Sequence, residues 1–405
     1  MTDLATGPVF TDDYWRAPFA VLGEVREQAP VREVDLPDGG TTWLVTRYAD
    51  ARAVMADPRF VKDFRNSLPE DQRASFAGIP SPGGDMMLLN DPPVHTRLRK
   101  LVVKAFTVRR VAALRPGIEA IATSLLTGLP GDAPVDLVEA YAVPLPTAVI
   151  CELLGVPVED QDAFGAWSRT LIDDSGEAAS MQANASLAAY LAELVERKRT
   201  EPDEALISAL IEVSEEGEQL STSEIVAMGM LLLIAGHETT ATLITTAVEA
   251  MLRDPGLRDR LAAADADELK AAIEEFLRWG SPIAQAPLRF AAEDVELSGV
   301  TVPRGAMVMV SLAAANHDPA RFERPDDYIE GRDTTGHLAF GHGLHFCLGA
   351  SLARLEAEVA LRTLLDRFPA FTAGTDLPVD RRRSVLVNAW ARLPVVLDGH
   401  ATASA

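Results

Sequence analysis

The stretch FGHGLHFCLG, from Phe340 to Gly349, brings together residues that could do chemistry: three glycines, two histidines and one of the chain's two cysteines. A helical pattern, LGASLARLEAEVALRTLLDRF, starts just after Cys347. Unpaired N–H groups at a helix N-terminus carry partial positive charge and favour a thiolate over a thiol. Glycines let a backbone approach a flat ligand or fold tightly over a sulfur. The stretch predicts a sulfur anion that binds an electropositive group.

Cys347 has three competing interpretations, as a buried, a zinc-bound or a nucleophilic thiol. Free cysteine is among the most buried residue types, which is how we interpret Cys151 in AVICELLG. A zinc site needs further ligands, and no second cysteine lies near Cys347 in the sequence. A nucleophile needs a positioned base, and His345 serves only if the loop folds it back. The glycines, Phe340 and His345 favour a ligand-binding role over simple burial.

A second chemical stretch is AGHETT, Ala235 to Thr240, within a helical pattern that runs from Thr222 to about Met251. Gly236 in a helix costs about 1 kcal/mol relative to alanine, which indicates a kink or a close approach by a ligand. Glu238 and the threonines have a simpler interpretation, because such groups can merely cap or solvate a helix. One face of the pattern is apolar until it reaches a threonine; it consists of Met228, Leu231, Leu232, Ala235 and Thr239.

Charged residues carry two further patterns. Glu275 and Arg278 in IEEFLRW share a helix face and lie among apolar residues, so we expect a buried pair that needs additional partners. Between Asp91 and Glu119 no acidic residue occurs, although the net charge is −23. This basic segment predicts either a helix face balanced by neighbours or a docking surface for an acidic electron carrier. Its basic residues are Arg97, Arg99, Lys100, Lys104, Arg109, Arg110 and Arg115.

Composition excludes several classes of protein. A net charge of −23 over 405 residues argues against nonspecific binding to nucleic acid. Two cysteines provide no disulfide framework. The N-terminus has no signal-peptide pattern, and the longest apolar run, IVAMGMLLLIAG, is too short to span a bilayer. We expect a cytoplasmic protein without membrane contact, mostly helical, with short strands in residues 288–311 and in SVLVNAWARLPVVL near the end.

The pattern Phe340-Gly-x-Gly-x-His345-x-Cys347-x-Gly349 resembles the haem-thiolate signature of the cytochrome P-450 superfamily, and AGHETT resembles its oxygen-binding groove. The resemblance covers the chain from about Trp43 to Val396. It is greatest to soluble actinomycete-type members that tailor macrolides and other polyketides. It implies a mainly α fold with minor β, in which a long central helix lies over the haem. A single domain would span residues 1–405, with residues 1–12 and 400–405 flexible.

The resemblance also implies roles for individual residues. Cys347 would be the axial ligand of the haem iron, where a thiolate favours O–O cleavage. Glu238 and Thr239 would form an acid–alcohol pair that delivers protons. Arg332 would join Glu275 and Arg278 in a structural cluster. The implied cofactor-binding residues, including those that face the haem propionates, are His95, Arg99, Ala235, Gly236, Arg289, Phe340, Gly341, His345, Cys347 and Gly349.

As a member of this family the chain would insert one oxygen atom from O2 into a C–H or C=C bond of a lipophilic molecule. The cofactor would be haem b, and electrons would come from NAD(P)H through separate proteins, because the chain has no flavin or iron–sulfur segment. A ferredoxin would dock on a monomer around Arg97, Arg99, Lys100 and Lys104. The expected substrate pocket, mostly apolar, consists of Met86, Met87, Leu88, Leu171, Leu231, Ala235, Ile283, Ala284 and Val387.

Two rival functions remain open. The first is a peroxide-driven or non-oxygenating haem-thiolate enzyme of the same fold, which would not require proton delivery by Glu238 and Thr239. The second is a haem sensor or carrier without catalysis, which would need neither that pair nor a surface for a redox partner.

Overall fold

A computed structural model describes residues 7–76, 84–131, 133–172, 176–215, 217–375 and 381–398. Helices dominate the described residues. They are α1 (Asp12–Arg16), α2 (Pro18–Gln28), α3 (Tyr48–Ala56), α4 (Glu70–Arg73), α5 (Val94–Ala105), α6 (Val108–Ala113), α7 (Arg115–Leu126), α8 (Pro144–Leu154), α9 (Gln161–Ile172), α10 (Glu177–Thr200), α11 (Leu206–Glu212), α12 (Thr222–Arg253), α13 (Pro255–Ala263), α14 (Ala266–Gly280), α15 (Leu312–Asn316) and α16 (Ala350–Arg367).

The strands are short and form small sheets. They are β1 (Val31–Asp35), β2 (Thr41–Val45), β3 (Phe60–Val61), β4 (Val135–Asp136), β5 (Ser214–Glu215), β6 (Glu218–Gln219), β7 (Arg289–Ala291), β8 (Val295–Leu297), β9 (Val300–Val302), β10 (Met307–Val310), β11 (Ala370–Ala373) and β12 (Pro394–Asp398). The largest sheet has the order β1-β2-β10-β7-β3, in which only the β2–β10 pair is parallel. A second sheet has the order β11-β12-β4, and the mainly α fold with minor β is confirmed.

Helix α12 is the central element of the helical part. Its N-cap is Ser221, which forms a capping box with Glu224, so the predicted start of the helix is confirmed. Among the described helices, α12 alone is long and apolar enough to cross a bilayer, but half of its most apolar window is buried in the protein. It packs against α8, α10, α14 and α16, which identifies it as a core helix.

Three hydrophobic cores position the rest of the chain. The larger one joins α5, α7, α8, α10 and α12 to α14 and α16, and the smaller ones lie around the five-stranded sheet. Helix α16 packs against both α7 and α12. The loop that leads into α16 is therefore held at a fixed place relative to the central helix.

Both ends of the chain differ from the sequence-based expectations. Val9 is fully buried and α1 begins at Asp12, so flexibility is wrong for residues 9–12, while residues 1–6 and 400–405 lie outside the described residues. The apolar alternation in SVLVNAWARLPVVL predicted one strand, but only Pro394–Asp398 forms one. The preceding residues make isolated bridges instead, because Val387 pairs with Ile283 and Trp390 pairs with Arg381.

Candidate active site

The loop that carries Cys347 is closed by the main chain. The N–H of Cys347 donates to the carbonyl of Phe340 at 2.9 Å. Gly341 and Gly343 have φ of 71° and 73°, a conformation that favours glycine. A side chain at Gly343 would also place its Cβ 2.6 Å from the carbonyl oxygen of Met55 on α3. Two of the glycines are thus required by backbone conformation, and one of them by close contact with a helix.

The electrostatics around Cys347 differ from the expectation at a helix N-terminus. Burial raises the pKa of the Cys347 thiol, although a hydrogen bond from the Gly349 N–H and the charges of Arg99 and Arg354 act in the opposite direction. Burial thus opposes the thiolate that the helix terminus favours, and the thiolate stays a prediction. A bound metal cation would favour the thiolate.

His345 is placed against another histidine. Its ring packs on that of His95, with 4.3 Å between the ring centroids, and this contact joins the cysteine loop to α5. Burial, followed by the charges of neighbouring cations, lowers the pKa of His345 to about 2. A group held neutral in this way is a poor general base, which disfavours the nucleophilic interpretation of Cys347.

A cluster of three polar residues beside the loop, Arg354, Glu274 and His337, was missed by sequence reasoning. Arg354 on α16 donates to both carboxylate oxygens of Glu274 on α14, at 2.5 and 2.8 Å, and His337 lies 3.0 Å from the same carboxylate. The guanidinium of Arg354 also lies 4.4 Å from the centre of the Phe340 ring. Arg354, which is fixed by Glu274, therefore packs against the ring of Phe340. The signal available in the sequence was Glu274, the other carboxylate of IEEFLRW.

The expected structural cluster is present in the fold. Glu275 accepts bidentate hydrogen bonds from Arg278 at 2.7 and 2.8 Å and a further one from Arg332 at 3.0 Å. Glu275 and Arg278 are almost fully buried. Arg278 also donates to the carbonyls of Asn316, Pro325 and Asp327, so the desolvated pair has the additional partners that such a pair needs.

The predicted propionate residues gather in one place with an unexpected member. His95 on α5 is fully buried, and neither of its ring nitrogens has a hydrogen-bond partner. Burial and the charge of Arg99 lower the pKa of His95 to about 4. Arg289 on β7 is buried, and burial lowers its pKa to about 10 although the charge of Asp91 opposes this. Lys62, which follows β3, is buried beside them.

This concentration of buried donors fits an anionic group. The one carboxylate that acts electrostatically on Lys62, His95 and Arg289 is that of Asp91. Its oxygens accept from the main-chain N–H groups of Lys62 and Asp63 and from the side chain of Asn66. Buried cations without an adequate anion are strongly unfavourable. The two carboxylates of a haem would supply the missing charge, so the residues present fit that cofactor.

Thr239, the first threonine of AGHETT, lies on an accessible strip of α12. Thr239 is half-buried, and its hydroxyl donates to the carbonyl of Ala235 at 3.0 Å. Ala235 is exposed, whereas His237 and Thr240 are buried. The strip through Ala235 and Thr239 is therefore the part of the central helix that a ligand can contact.

Gly236 lies within an unbroken stretch of α12 and packs against α8. A Cβ at Gly236 would lie 2.9 Å from Cδ1 of Ile150 on α8. A close approach by a neighbouring helix is therefore a further reason for this glycine, and the kink or ligand contact stays a prediction. Its implied role in cofactor binding stays a prediction.

Glu238 faces away from that strip. Its carboxylate forms an ion pair with Arg382, a residue that sequence reasoning missed. Both side chains line a cavity of about 750 Å³ between α8, α9, α12 and residues 389–391. Among the described residues that line this cavity, Thr242 is present and Thr239 is not. The structure thus places the two members of the predicted acid–alcohol pair on different sides of the helix.

The predicted substrate-pocket residues fall into two groups. Met87 belongs to the large core and Ala284 packs in the core beneath α2, and their place in a substrate pocket stays a prediction. Ile283 and Val387 are brought together by their isolated bridge. Half-buried positions, which suit contact with an apolar ligand, are Met86, Leu88, Leu171, Leu231 and Ile283.

The chain is similar to known proteins over nearly its whole length. Residues 167–389 match the cytochrome P-450 family model. The chain is 53% identical to the vitamin D(3) 25-hydroxylase of Pseudonocardia autotrophica, over 96% of each chain. It is 42% identical to the 6-deoxyerythronolide B hydroxylase of Saccharopolyspora erythraea, over 94% of this chain and 96% of that protein. A solved structure of the mixed-function P-450 MycG with mycinamicin IV has a TM-score of 0.85 at 38% identity, covering 96% of this chain and all of that one.

The fold, the cysteine loop and the buried cation cluster define a haem-thiolate monooxygenase. The chain belongs to the cytochrome P-450 family. It is an enzyme that uses haem and O2 and takes electrons from an external ferredoxin-like protein, and it acts on a lipophilic small molecule in secondary metabolism. When bound, the haem supplies the activation of oxygen.

Proposed function

We propose that this monooxygenase hydroxylates or epoxidises a macrolide or another polyketide. The observation that carries the proposal is the similarity, over nearly the whole chain, to the 6-deoxyerythronolide B hydroxylase and to MycG, which was solved with mycinamicin IV. The half-buried residues Met86, Leu88 and Leu231 offer apolar contacts for a large, mostly lipophilic substrate.

A secosteroid is the second candidate substrate. The 53% identical relative is a vitamin D(3) 25-hydroxylase, and this identity exceeds that of the two macrolide-related proteins. Both substrate classes are large, rigid and mostly apolar, so the same half-buried strip would serve either one. The choice between them depends on the few polar contacts that orient the ligand.

Residue roles within this function follow from placement in the fold. Cys347 would hold the iron of haem b from the loop side, and His95, Arg99, Arg289 and His345 would bind the propionates. Thr239, on the accessible strip of α12, would hold a proton-donating water at the oxygen side. Glu238 would pass protons from the cavity that it shares with Arg382. A single domain of this kind would act as a cytoplasmic monomer.

The basic segment supports a docking surface for the ferredoxin. Lys100 on α5 is exposed, and Arg99 donates to the carbonyl of Phe346 at 2.7 Å, which ties this helix to the cysteine loop. Phe346 is itself 41% exposed. Arg97, by contrast, forms an ion pair with Glu224, so its charge is offset within the protein. The exposed Lys100, together with other cations of the basic segment such as Lys104, would attract an acidic carrier, which would transfer electrons originating from NAD(P)H.

The decisive experiment combines binding and turnover. Purified holoenzyme would be titrated with mycinamicin IV, 6-deoxyerythronolide B and vitamin D3, and the spin-state shift of the Soret band would be followed. Each binder would then be incubated with NADPH, a ferredoxin and its reductase, and products would be identified by mass spectrometry. A macrolide that shifts the spectrum and gains 16 mass units, roughly one oxygen atom, supports the proposal.

Three results would favour another substrate or another function over the proposed one. Oxygenation of vitamin D3 alone would select the secosteroid. Efficient product formation with hydrogen peroxide, combined with failure of the ferredoxin system, would select the peroxide-driven rival. Rapid reduction without any product from a broad panel would select a haem sensor or carrier.

A further inference from the structure

Lys62 is a buried lysine that the known reaction does not explain. It directly follows β3 and is only 6% exposed. Its ammonium donates to the carbonyl of Pro287 at 2.7 Å and to that of Leu288 at 3.0 Å. An ammonium has three donors, so these two bonds leave one available. Because the two carbonyls immediately precede Arg289, Lys62 also fixes the backbone from which that arginine projects.

The surroundings of Lys62 are electrically unbalanced. Burial, followed by the charge of Arg289, lowers the pKa of Lys62 to about 6, and Asp91 opposes this only in part. The carboxylate of Asp91 is engaged by N–H groups of the main chain and by Asn66. A buried ammonium costs several kcal/mol unless an anion accompanies it. The position is therefore suited to a negative charge that comes from outside the chain.

Lys62 belongs to the same cation cluster as the predicted propionate residues. Val61, the residue before Lys62, pairs with Phe290, the residue after Arg289. Lys62 and Arg289 also donate to the same carbonyl, that of Pro287, at 2.7 and 3.1 Å. Lys62 therefore lies directly beside Arg289, one of the residues predicted to bind a propionate.

We infer that Lys62 is a third cation of the haem carboxylate site, after Arg99 and Arg289, and that a bound haem compensates its buried charge. This inference rests on the proposed placement of haem against Cys347. A propionate near the third donor of Lys62 would form a charge-assisted hydrogen bond and compensate the buried charge. The sign follows from linkage: an anion raises the pKa of Lys62, so haem is held more tightly at lower pH and less tightly as Lys62 deprotonates.

The first experiment measures haem loss from the holoenzyme. Transfer of haem to excess apomyoglobin would be followed in the Soret region for the unmodified protein, Lys62→Gln, Lys62→Arg and the control Lys270→Gln, an exposed lysine on α14. Losing one charge-assisted hydrogen bond should accelerate haem loss by about tenfold in Lys62→Gln. Lys62→Arg, which keeps the charge, and Lys270→Gln should stay within about twofold of the unmodified protein. Equal rates in all four proteins would overturn the inference.

Two further readouts separate a charge effect from a structural one. Removing a positive charge near the iron should move its reduction potential to more negative values in Lys62→Gln but not in Lys62→Arg. The unmodified protein should lose haem faster as pH rises from 6 to about 9, and Lys62→Arg should lack this rise. Haem whose propionates are esterified should abolish the difference between Lys62→Gln and the unmodified protein. A difference that persists with the ester would assign Lys62 a purely structural role.

The outcome is distinguishable from failure of the proposed haem placement. That placement is tested by the spectrum of Cys347 variants, which reports the axial ligand and does not depend on Lys62. A normal thiolate spectrum with unchanged haem retention in Lys62→Gln would refute only the role of Lys62. If Lys62→Gln does not fold, the pH dependence of haem loss in the unmodified protein and in Lys62→Arg still decides.

Discussion

Glu238 on α12 and Arg382, 144 residues further along the chain, form an ion pair at the edge of a cavity of about 750 Å³. Consecutive residues on a helix point about 100° apart, so this pair directs Glu238 away from the strip that contains Thr239. In the proposed function, protons that enter through the cavity must cross the helix to reach Thr239. The ion pair would then control when Glu238 is available for that transfer.

We expect Glu238→Gln to reduce kcat by about a hundredfold, the scale of general acid–base catalysis. Arg382→Gln should cause a smaller loss, because it changes only the position of the carboxylate. The double variant should be no slower than Glu238→Gln alone, since both changes affect one unit. Turnover in H2O and D2O measures this, and additive losses in the double variant would show that Arg382 acts independently.

Thr239→Ala should consume O2 and reducing equivalents without forming product, because the hydroxyl that would hold a proton-donating water is lost. Thr240→Val is the matched control, since Thr240 is buried and donates only to the carbonyl of Gly236. Coupling is measured as product formed per NADPH oxidised. Normal coupling in Thr239→Ala would contradict its role at the oxygen side.

Cys347→Ser should abolish the strongly red-shifted Soret band of the reduced carbon monoxide complex, because a hydroxyl does not replace a thiolate ligand. The second cysteine provides the control. Cys151 is buried in α8 and burial raises its pKa to about 12, so Cys151→Ser should leave the band unchanged. Retention of the band in Cys347→Ser would exclude this residue as the axial ligand.

Neutralising Lys100 and Lys104 together should slow reduction by the ferredoxin severalfold at low salt and much less at 0.5 M salt, because screening weakens the attraction, roughly as the Debye length shortens below 10 Å. Lys270→Gln on α14 serves as the control for loss of one surface charge. Stopped-flow reduction of the iron provides the rate. A slowing of equal size at both salt concentrations would indicate a structural defect and no docking role.

Glu274→Gln should destabilise the protein in a pH-dependent manner. Burial raises the pKa of Glu274, but Arg354 and His337 outweigh it and hold the pKa at about 2, below the ordinary value. The stabilisation is therefore present above the pKa of an unfolded glutamate, about 4.5, and is lost as pH falls towards 2. We expect a loss of about 2 kcal/mol at pH 7, reduced by partial exposure of the carboxylate.

Urea unfolding at pH 7 and at pH 3.5 measures this effect, and Asp267→Asn is the control because that carboxylate is almost fully exposed. The difference between Glu274→Gln and the unmodified protein should shrink at the lower pH. A difference of the same size at both pH values would mean that the ion pair contributes little.

Patterns within the sequence predicted the local elements well. The helical pattern that begins at Thr222 located the start of α12, and the apolar surroundings of Cys151 indicated its burial. The FGHGLHFCLG stretch located the cysteine loop because the positive φ angles of this loop favour glycine, and backbone conformation is a local property. The fold class followed from the balance of helical and strand patterns.

Relationships between distant residues were not accessible in the same way. The contacts of Glu238 with Arg382 and of Glu274 with Arg354 join residues 144 and 80 positions apart. The burial of Lys62 and the raised pKa of Cys347 depend on what the whole fold places around them. Gly236 showed the same limit, since a packing contact with Ile150 resembles a ligand contact when only the sequence is read.

The exposure of Phe346 has a consequence for electron entry. This residue is 41% exposed and is bonded directly to Cys347, with about 3.8 Å between the two Cα atoms. If Cys347 holds the iron as proposed, an electron delivered to Phe346 has a covalent route to the iron that does not pass through the hydrophobic core. The rate of reduction should therefore depend on how closely a donor seats on this single aromatic side chain, and very little on the interior behind it.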